Sequence, residues 1–127
     1  MKKALFLTFF FAGTFLHGLD VYSGGVLSKN QAAMDVKHYG LDLMVDPYKK
    51  TISGISTIKF VLLENVPFLE IDLFKKFTVS GVSVDGTSLD FKHQNHKIII
   101  QNPGLGLFGL HSLKKKYGGR PPVAKRP

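Results

Sequence analysis

The sequence predicts an all-β protein: an antiparallel β-sandwich or saddle-shaped sheet of about seven or eight short strands, preceded by a signal-peptide helix. Three observations carry that reading. From Tyr39 onward, apolar and polar residues alternate with period two in segment after segment. Turn signals separate these segments about every 8 to 12 residues. Helical periodicity is nearly absent. The 127 residues suffice for one domain, and a chain that is 44% hydrophobic, with 11 Phe, can fill one core.

The first element is the leader, "MKKALFLTFFFAGTFLHG", residues 1–18. Lys2 and Lys3 precede an apolar run from Ala4 to Leu16, broken only by Thr8, Gly13 and Thr14. A charged start followed by a short apolar stretch is a signal-peptide layout. The run falls short of the roughly 20 residues that a membrane-crossing helix needs. The expectation is an exported protein, periplasmic or extracellular, with no stable membrane span once the leader is cut. Cleavage after Gly18 leaves Leu16 where a small residue is usual, so the cut site is open, with an uncleaved anchor as the alternative. Residues 19–34, polar and containing glycine, read as a linker with one helical turn near Gln31 to Met34.

The domain proper is assigned to residues 35–118. Tyr39, Leu41, Leu43 and Val45 alternate with Gly40 and Asp42, which predicts a strand with the odd positions buried. Asp46 and Pro47 open a turn, and Ile52 to Leu63 returns as a longer strand with Ile58, Phe60 and Leu62 inward. After Pro67, Leu69, Ile71 and Leu73 form a third strand whose Glu70 and Asp72 face water. Val82 and Val84 lead through Asp85-Gly86 to a return strand with Leu89 and Phe91. "HQNH" at 93–96 then turns the chain into Ile98 to Ile100. "QNPGLGLFGL" is a loop, and Leu113 to Tyr117 is the last strand.

Composition excludes several chemistries. Cysteine is absent, so there is no disulfide, thiolate metal site or thiol nucleophile. The net charge of +8 falls to +6 without Lys2 and Lys3, and the remaining lysines lie in twos and threes with no Arg-rich helix or stacking motif. They read as solvated lysines on strand edges and turns, not as a nucleic-acid surface.

Residues able to do chemistry are few. His93 and His96 are separated by two residues in a predicted turn, with no third ligand adjacent, and read as exposed turn histidines. His38 starts a strand, and His111 stands alone. Glu70 and Asp72 are about 7 Å apart on one strand face and read as its wet side, not as a general acid and base. Ser53-Gly54 and Ser80-Gly81 lack the GxSxG elbow. "GLGLFG" has the letters of a dinucleotide fingerprint without its helix or acidic partner. No catalytic, cofactor-binding or metal-binding residue is assigned.

Several stretches occur together in order: "HYGLDLMVDPYKKTISGISTIKF", "FLEIDL", "VSGVSVDGTSLDF", "HKIII" and "KKYGGRPPVAKRP". In this combination the chain resembles the N-terminal β-sandwich domain of M1-family zinc aminopeptidases, in particular the secreted bacterial branch, over about residues 35 to 127. The resemblance implies a non-catalytic domain that packs beside a zinc peptidase domain and frames access to its active site. The parent activity would be release of N-terminal amino acids from peptides. The family holds its zinc with HExxH and a downstream Glu, and binds the substrate's amino end with Gly-x-Met-x-Asn. Neither motif occurs here, so zinc is expected in the parent only, and the partner would be the catalytic domain. A free-standing secreted binding module, taking a partner strand at a sheet edge, is the alternative. One residue departs from the family pattern: "LKKKY" puts Lys115 between Leu113 and Tyr117 on the face expected to be apolar. Either that strand is an open edge, or a following domain covers it. Residues 119–127, basic and Pro-rich, read as the start of an interdomain linker.

Overall fold

The computed structural model describes residues 25–123. The leader, its cut site, the first part of the 19–34 segment and residues 124–127 lie outside the described residues.

The 25–34 stretch is not a free linker. Helix α1 (Lys29–Ala32) starts at Ser28, whose hydroxyl accepts from the Gln31 amide at 3.2 Å while the Gln31 side chain accepts from the Ser28 amide at 3.1 Å. This reciprocal cap satisfies two otherwise orphaned donors. Ala33 and Met34, directly after it, are buried in the core. The predicted helical turn is thus displaced toward the N-terminus, and Met34 already begins a strand.

Among the described residues eight strands follow: β1 (Met34–Asp46), β2 (Thr51–Leu62), β3 (Phe68–Asp72), β4 (Thr78–Val84), β5 (Thr87–Ser88), β6 (Phe91–Gln94), β7 (Lys97–Gln101) and β8 (Leu110–Gly119). They form a five-stranded sheet in the order β1-β2-β8-β4-β5 and a three-stranded sheet in the order β3-β7-β6, every neighbour antiparallel. This is the expected all-β sandwich. Its centre is Phe60 and Leu62 from β2, Leu69 from β3, Ile98 and Ile100 from β7 and Leu113 from β8, all fully buried.

The turns follow their chemistry. Asp46 Oδ1 accepts from the amides of Tyr48 and Lys49, both at 3.0 Å, and fixes the β1–β2 hairpin. Asp85-Gly86 and Asn95-His96 each have two positive φ angles, at 49° and 83° and at 50° and 61°. Mirror-image turns of that kind match the twist of the strands they join. In β2, Gly54 has φ 154°, and a Cβ there would stand 2.0 Å from the Asp42 carbonyl oxygen of β1. Only glycine lets the two backbones approach so closely.

Three sequence expectations need correction or narrowing. The return strand expected to carry Leu89 and Phe91 is two pieces. Thr87–Ser88 pairs with β4, and the chain then crosses to the other sheet, where Phe91 opens β6 opposite Ile100. Of the two accounts given for Lys115, the open edge is excluded, because β8 lies in the middle of its sheet between β2 and β4.

The third concerns β1. Tyr39 pairs with the buried Ile58, so Tyr39, Leu41, Leu43 and Val45 do share the inner face, yet Tyr39, Leu41 and Val45 are 62%, 66% and 64% exposed. The reason is length. β1 and β2 have 13 and 12 residues, about 40 Å of strand, whereas the strands of the facing sheet have 4 or 5, about 17 Å at most. The larger sheet overhangs its partner, and the far part of its inner face has no layer above it among the described residues.

Candidate functional site

Four places gather polar or reactive groups. The first is where α1 crosses β3. Glu70 accepts from the Ser28 hydroxyl at 2.6 Å, the Asn30 amide at 2.8 Å and Lys97 Nζ at 3.3 Å. Gln31 donates to Asp72 at 3.0 Å. The hydrogen bonds from Ser28 and then Asn30 hold the Glu70 carboxyl below its ordinary range; partial burial opposes them, and Lys97 adds to them. Glu70 is therefore a half-buried anchor for the helix, not the wet side of the strand. A carboxylate so stabilised as an anion is a poor proton donor.

The His93/His96 pair is split between two structural tasks. His93, half-buried in β6, places Nε2 3.0 Å from the Leu73 carbonyl oxygen. His96, exposed in the turn, accepts from the Lys75 amide at 3.2 Å and stacks on Phe74 with ring centroids 5.0 Å apart. Together they tie the β3–β4 connection to the β6–β7 hairpin. Among the described residues no three His, Asp or Glu side chains gather to hold a metal ion.

His111 is not solitary. Its Nδ1 lies 2.7 Å from Asp85 Oδ2 and its Nε2 lies 2.7 Å from the Gly106 carbonyl oxygen, while the ring packs 5.7 Å from that of Phe60. Both ring nitrogens face acceptors, so only the imidazolium can donate to both. Burial works against the charged ring, but the Gly106 carbonyl and Asp85 outweigh it and raise the His111 pKa. Burial likewise works to raise the Asp85 pKa, and the Ser112 amide, with His111, outweighs it, so the pKa is lowered. Sequence gave no sign of this clamp, because its members are 26 and 5 residues apart.

The clamp braces the loop between β7 and β8. Asn102 Oδ1 accepts from the amides of Gly104 and Leu105, both at 3.0 Å, and its side-chain amide donates to the Val66 carbonyl at 2.8 Å. The Phe108 amide donates to the Leu62 carbonyl at 3.0 Å. Phe108 itself has φ 62°, uncommon for a bulky residue, and its side chain is 73% exposed beside exposed Leu107 and Leu110. An ordered loop thus presents apolar side chains to solvent.

The fourth place is Lys115. It faces inward from the central strand β8, opposite Ser56, which is itself buried. Burial lowers its pKa, and the charge of Asp72 partly offsets this.

No family model and no curated protein sequence matches the chain. Solved structures do. A two-domain M1 zinc metallopeptidase bound to L-arginine superposes with a TM-score of 0.63 at 25% identity, over 76% of this chain and 23% of its own. The M1 zinc metallopeptidase of Deinococcus radiodurans gives 0.63 at 24% identity, over 75% and 22%. Yeast leukotriene A4 hydrolase gives 0.60 at 21% identity, over 76% and 17%, which speaks for the fold alone. This chain therefore spans less than a quarter of the length of the structures it matches. It has the fold of an N-terminal domain of the M1 zinc metallopeptidases.

Proposed function

We propose that this chain acts as a non-catalytic N-terminal domain of a secreted M1-like zinc metallo-aminopeptidase. In that role it packs beside the catalytic domain and frames access to the active site, and the parent releases N-terminal amino acids from peptides. The observation that carries the reading is the uncovered apolar surface. Leu107 and Phe108 on the braced loop, Leu110 at the start of β8, and Tyr39, Leu41 and Val45 on the overhang of β1, are all exposed. Large apolar side chains left exposed at these two places on an ordered surface are where another layer could pack. The match to under a quarter of each M1 structure supports the same reading.

The test is the intact mass of the protein as exported by its native host, captured with an antibody against the sandwich. The expected result is a species several-fold heavier than this chain, with zinc-dependent aminopeptidase activity in the captured material. Capture of a species no heavier than this chain, with no activity, would overturn the proposal.

That outcome would favour the second reading, a free-standing secreted module that takes a partner's strand. One observation favours it specifically: β1 is an edge of the five-stranded sheet and is 13 residues long. Long unpaired edges are templates for strand addition.

A further inference from the structure

Lys115 occupies a position where strand alternation calls for an apolar side chain, and the fold buries it: the residue is 7% exposed. Its Nζ donates to the Asp72 carbonyl oxygen at 3.4 Å, near the outer limit of a hydrogen bond, and lies 5.6 Å from the centroid of the Tyr117 ring. Lys115 forms no ion pair with a carboxylate among the described residues. An ammonium has three donors, so one long bond leaves most of its capacity unused. A buried cation in that condition is costly unless something completes it.

What lies beside it is a cleft of about 460 Å³ between α1, β1, β2, β3 and β8. That volume is within the range of small-molecule sites. Leu27, Met34, Tyr39, Ile58 and Ile71 supply apolar walls, and Lys115 lines the same space. Three carboxylates also border it, and each is already engaged: Glu70 with Ser28, Asn30 and Lys97, Asp72 with Gln31, and Asp35 with Lys37. Lys115 is the cation of this lining, and it makes a direct ion pair with none of the three; the charge of Asp72, whose carboxylate is bonded to the neutral Gln31, offsets only part of its burial.

We propose that the cleft binds a small monocarboxylate with an apolar body, its carboxylate on Lys115 Nζ and its body against Tyr39, Ile58 and Ile71. A carboxylate offers two acceptor oxygens to the unused donors, and partial exclusion of water strengthens the pair. The apolar walls select the body. The bordering Glu70, Asp72 and Asp35 disfavour a second negative charge, which restricts the ligand to a monoanion. The inference is argued from the cleft alone, and it shares Tyr39 with the overhang on which the proposed catalytic domain would pack.

The test uses octanoate and the uncharged 1-octanol as probes, titrated calorimetrically into the full chain at neutral pH. The expected result is saturable one-to-one binding of octanoate, with 1-octanol at least tenfold weaker. Lys115→Met, checked by its amide NMR spectrum to be folded, should weaken octanoate at least tenfold and leave 1-octanol unweakened. Absence of saturable octanoate binding, equal affinity of the wild-type chain for both probes, or unchanged octanoate affinity in a folded Lys115→Met would each overturn the proposal. The two-probe comparison on the wild-type chain holds even if the variant does not fold.

Discussion

The two halves of the five-stranded sheet obey one sequence rule and meet opposite fates. Near the β7–β8 loop, Phe60, Leu62 and Leu113 point inward and are fully buried under the smaller sheet. Farther along the same face, Tyr39, Leu41 and Val45 also point inward, and water reaches them. Alternation reports which side chains share a face; whether that face is covered depends on the length of the opposing layer. The covered half is held by its own packing, whereas the overhang leaves its apolar side chains exposed.

The sharpest way to break this contrast is to truncate one large side chain in each half. Phe60→Ala should lower unfolding free energy by about 3 to 5 kcal/mol, through lost burial and the cavity left behind. Leu41→Ala, on the same face but exposed, should change it by no more than about 0.5 kcal/mol. Urea unfolding of both variants checks the pair. Comparable losses would mean that the overhang is covered after all, and the contrast would fail.

The boundary between the halves is Lys115, where the next largest effect is expected. Lys115→Met removes a buried charge that has only one long hydrogen bond and replaces it with an apolar side chain of similar length. Such replacements range from neutral to stabilising, and here a gain of about 1 to 2 kcal/mol is expected by urea unfolding. A loss of stability would show that the ammonium belongs to the core's own design.

Much of this fold was legible in the sequence, and what was missed has a common physical cause. The β1–β2 hairpin, the inward trio Ile58, Phe60 and Leu62, and the turns at Asp85-Gly86 and Asn95-His96 follow from local rules: period two, and residues that tolerate positive φ. The errors arise where a long-range partner decides. Glu70 looks like the wet side of β3 until α1, 40 residues upstream, lays Ser28 and Asn30 on it. His111 looks solitary until Asp85 and Gly106 arrive from two other connections. Lys115 was visible as an anomaly, but its central position in the sheet was not, because alternation does not give strand order. The resemblance to the M1 sandwich rested on ordered motifs and agrees with the structural match, while the absence of an assigned site left the clamp and the cleft to be found in three dimensions.

Helix α1 supplies a third test, of the roof over the cleft. Ser28→Ala removes both the N-cap and a 2.6 Å hydrogen bond to Glu70, and should cost about 1 kcal/mol. The same contact predicts acid sensitivity. The Glu70 pKa is lowered in the folded protein, so its contribution is present above the ordinary carboxylate pKa and is lost as pH falls through the lowered value. Ser28→Ala should flatten the acid limb of a stability-against-pH curve, and an unchanged limb would assign that limb to other carboxylates.

The smallest expected effect lies at the closed end of the covered half. His111 has a raised pKa in the folded protein, so its contribution is fully present below the ordinary histidine value and is lost as pH rises through the raised one. Asp85 is partly exposed, so solvent screens the pair and its worth is held below about 1 kcal/mol. The effect should be local. Once neutral, the ring can donate to Asp85 or to the Gly106 carbonyl but not to both, and the loop bearing Phe108 loses one tether while Asn102 keeps its own. Amide hydrogen exchange at Leu107 and Phe108, corrected for the intrinsic rise of exchange rate with pH, should therefore accelerate across the His111 titration. Amides of β2 should not follow. Asp85→Asn should move that transition to lower pH by weakening the charged form of the ring. If the corrected exchange at Phe108 were flat across the titration, the loop would owe its order to Asn102 and to the Phe108 amide bond to Leu62, and the covered half would be closed by backbone geometry alone.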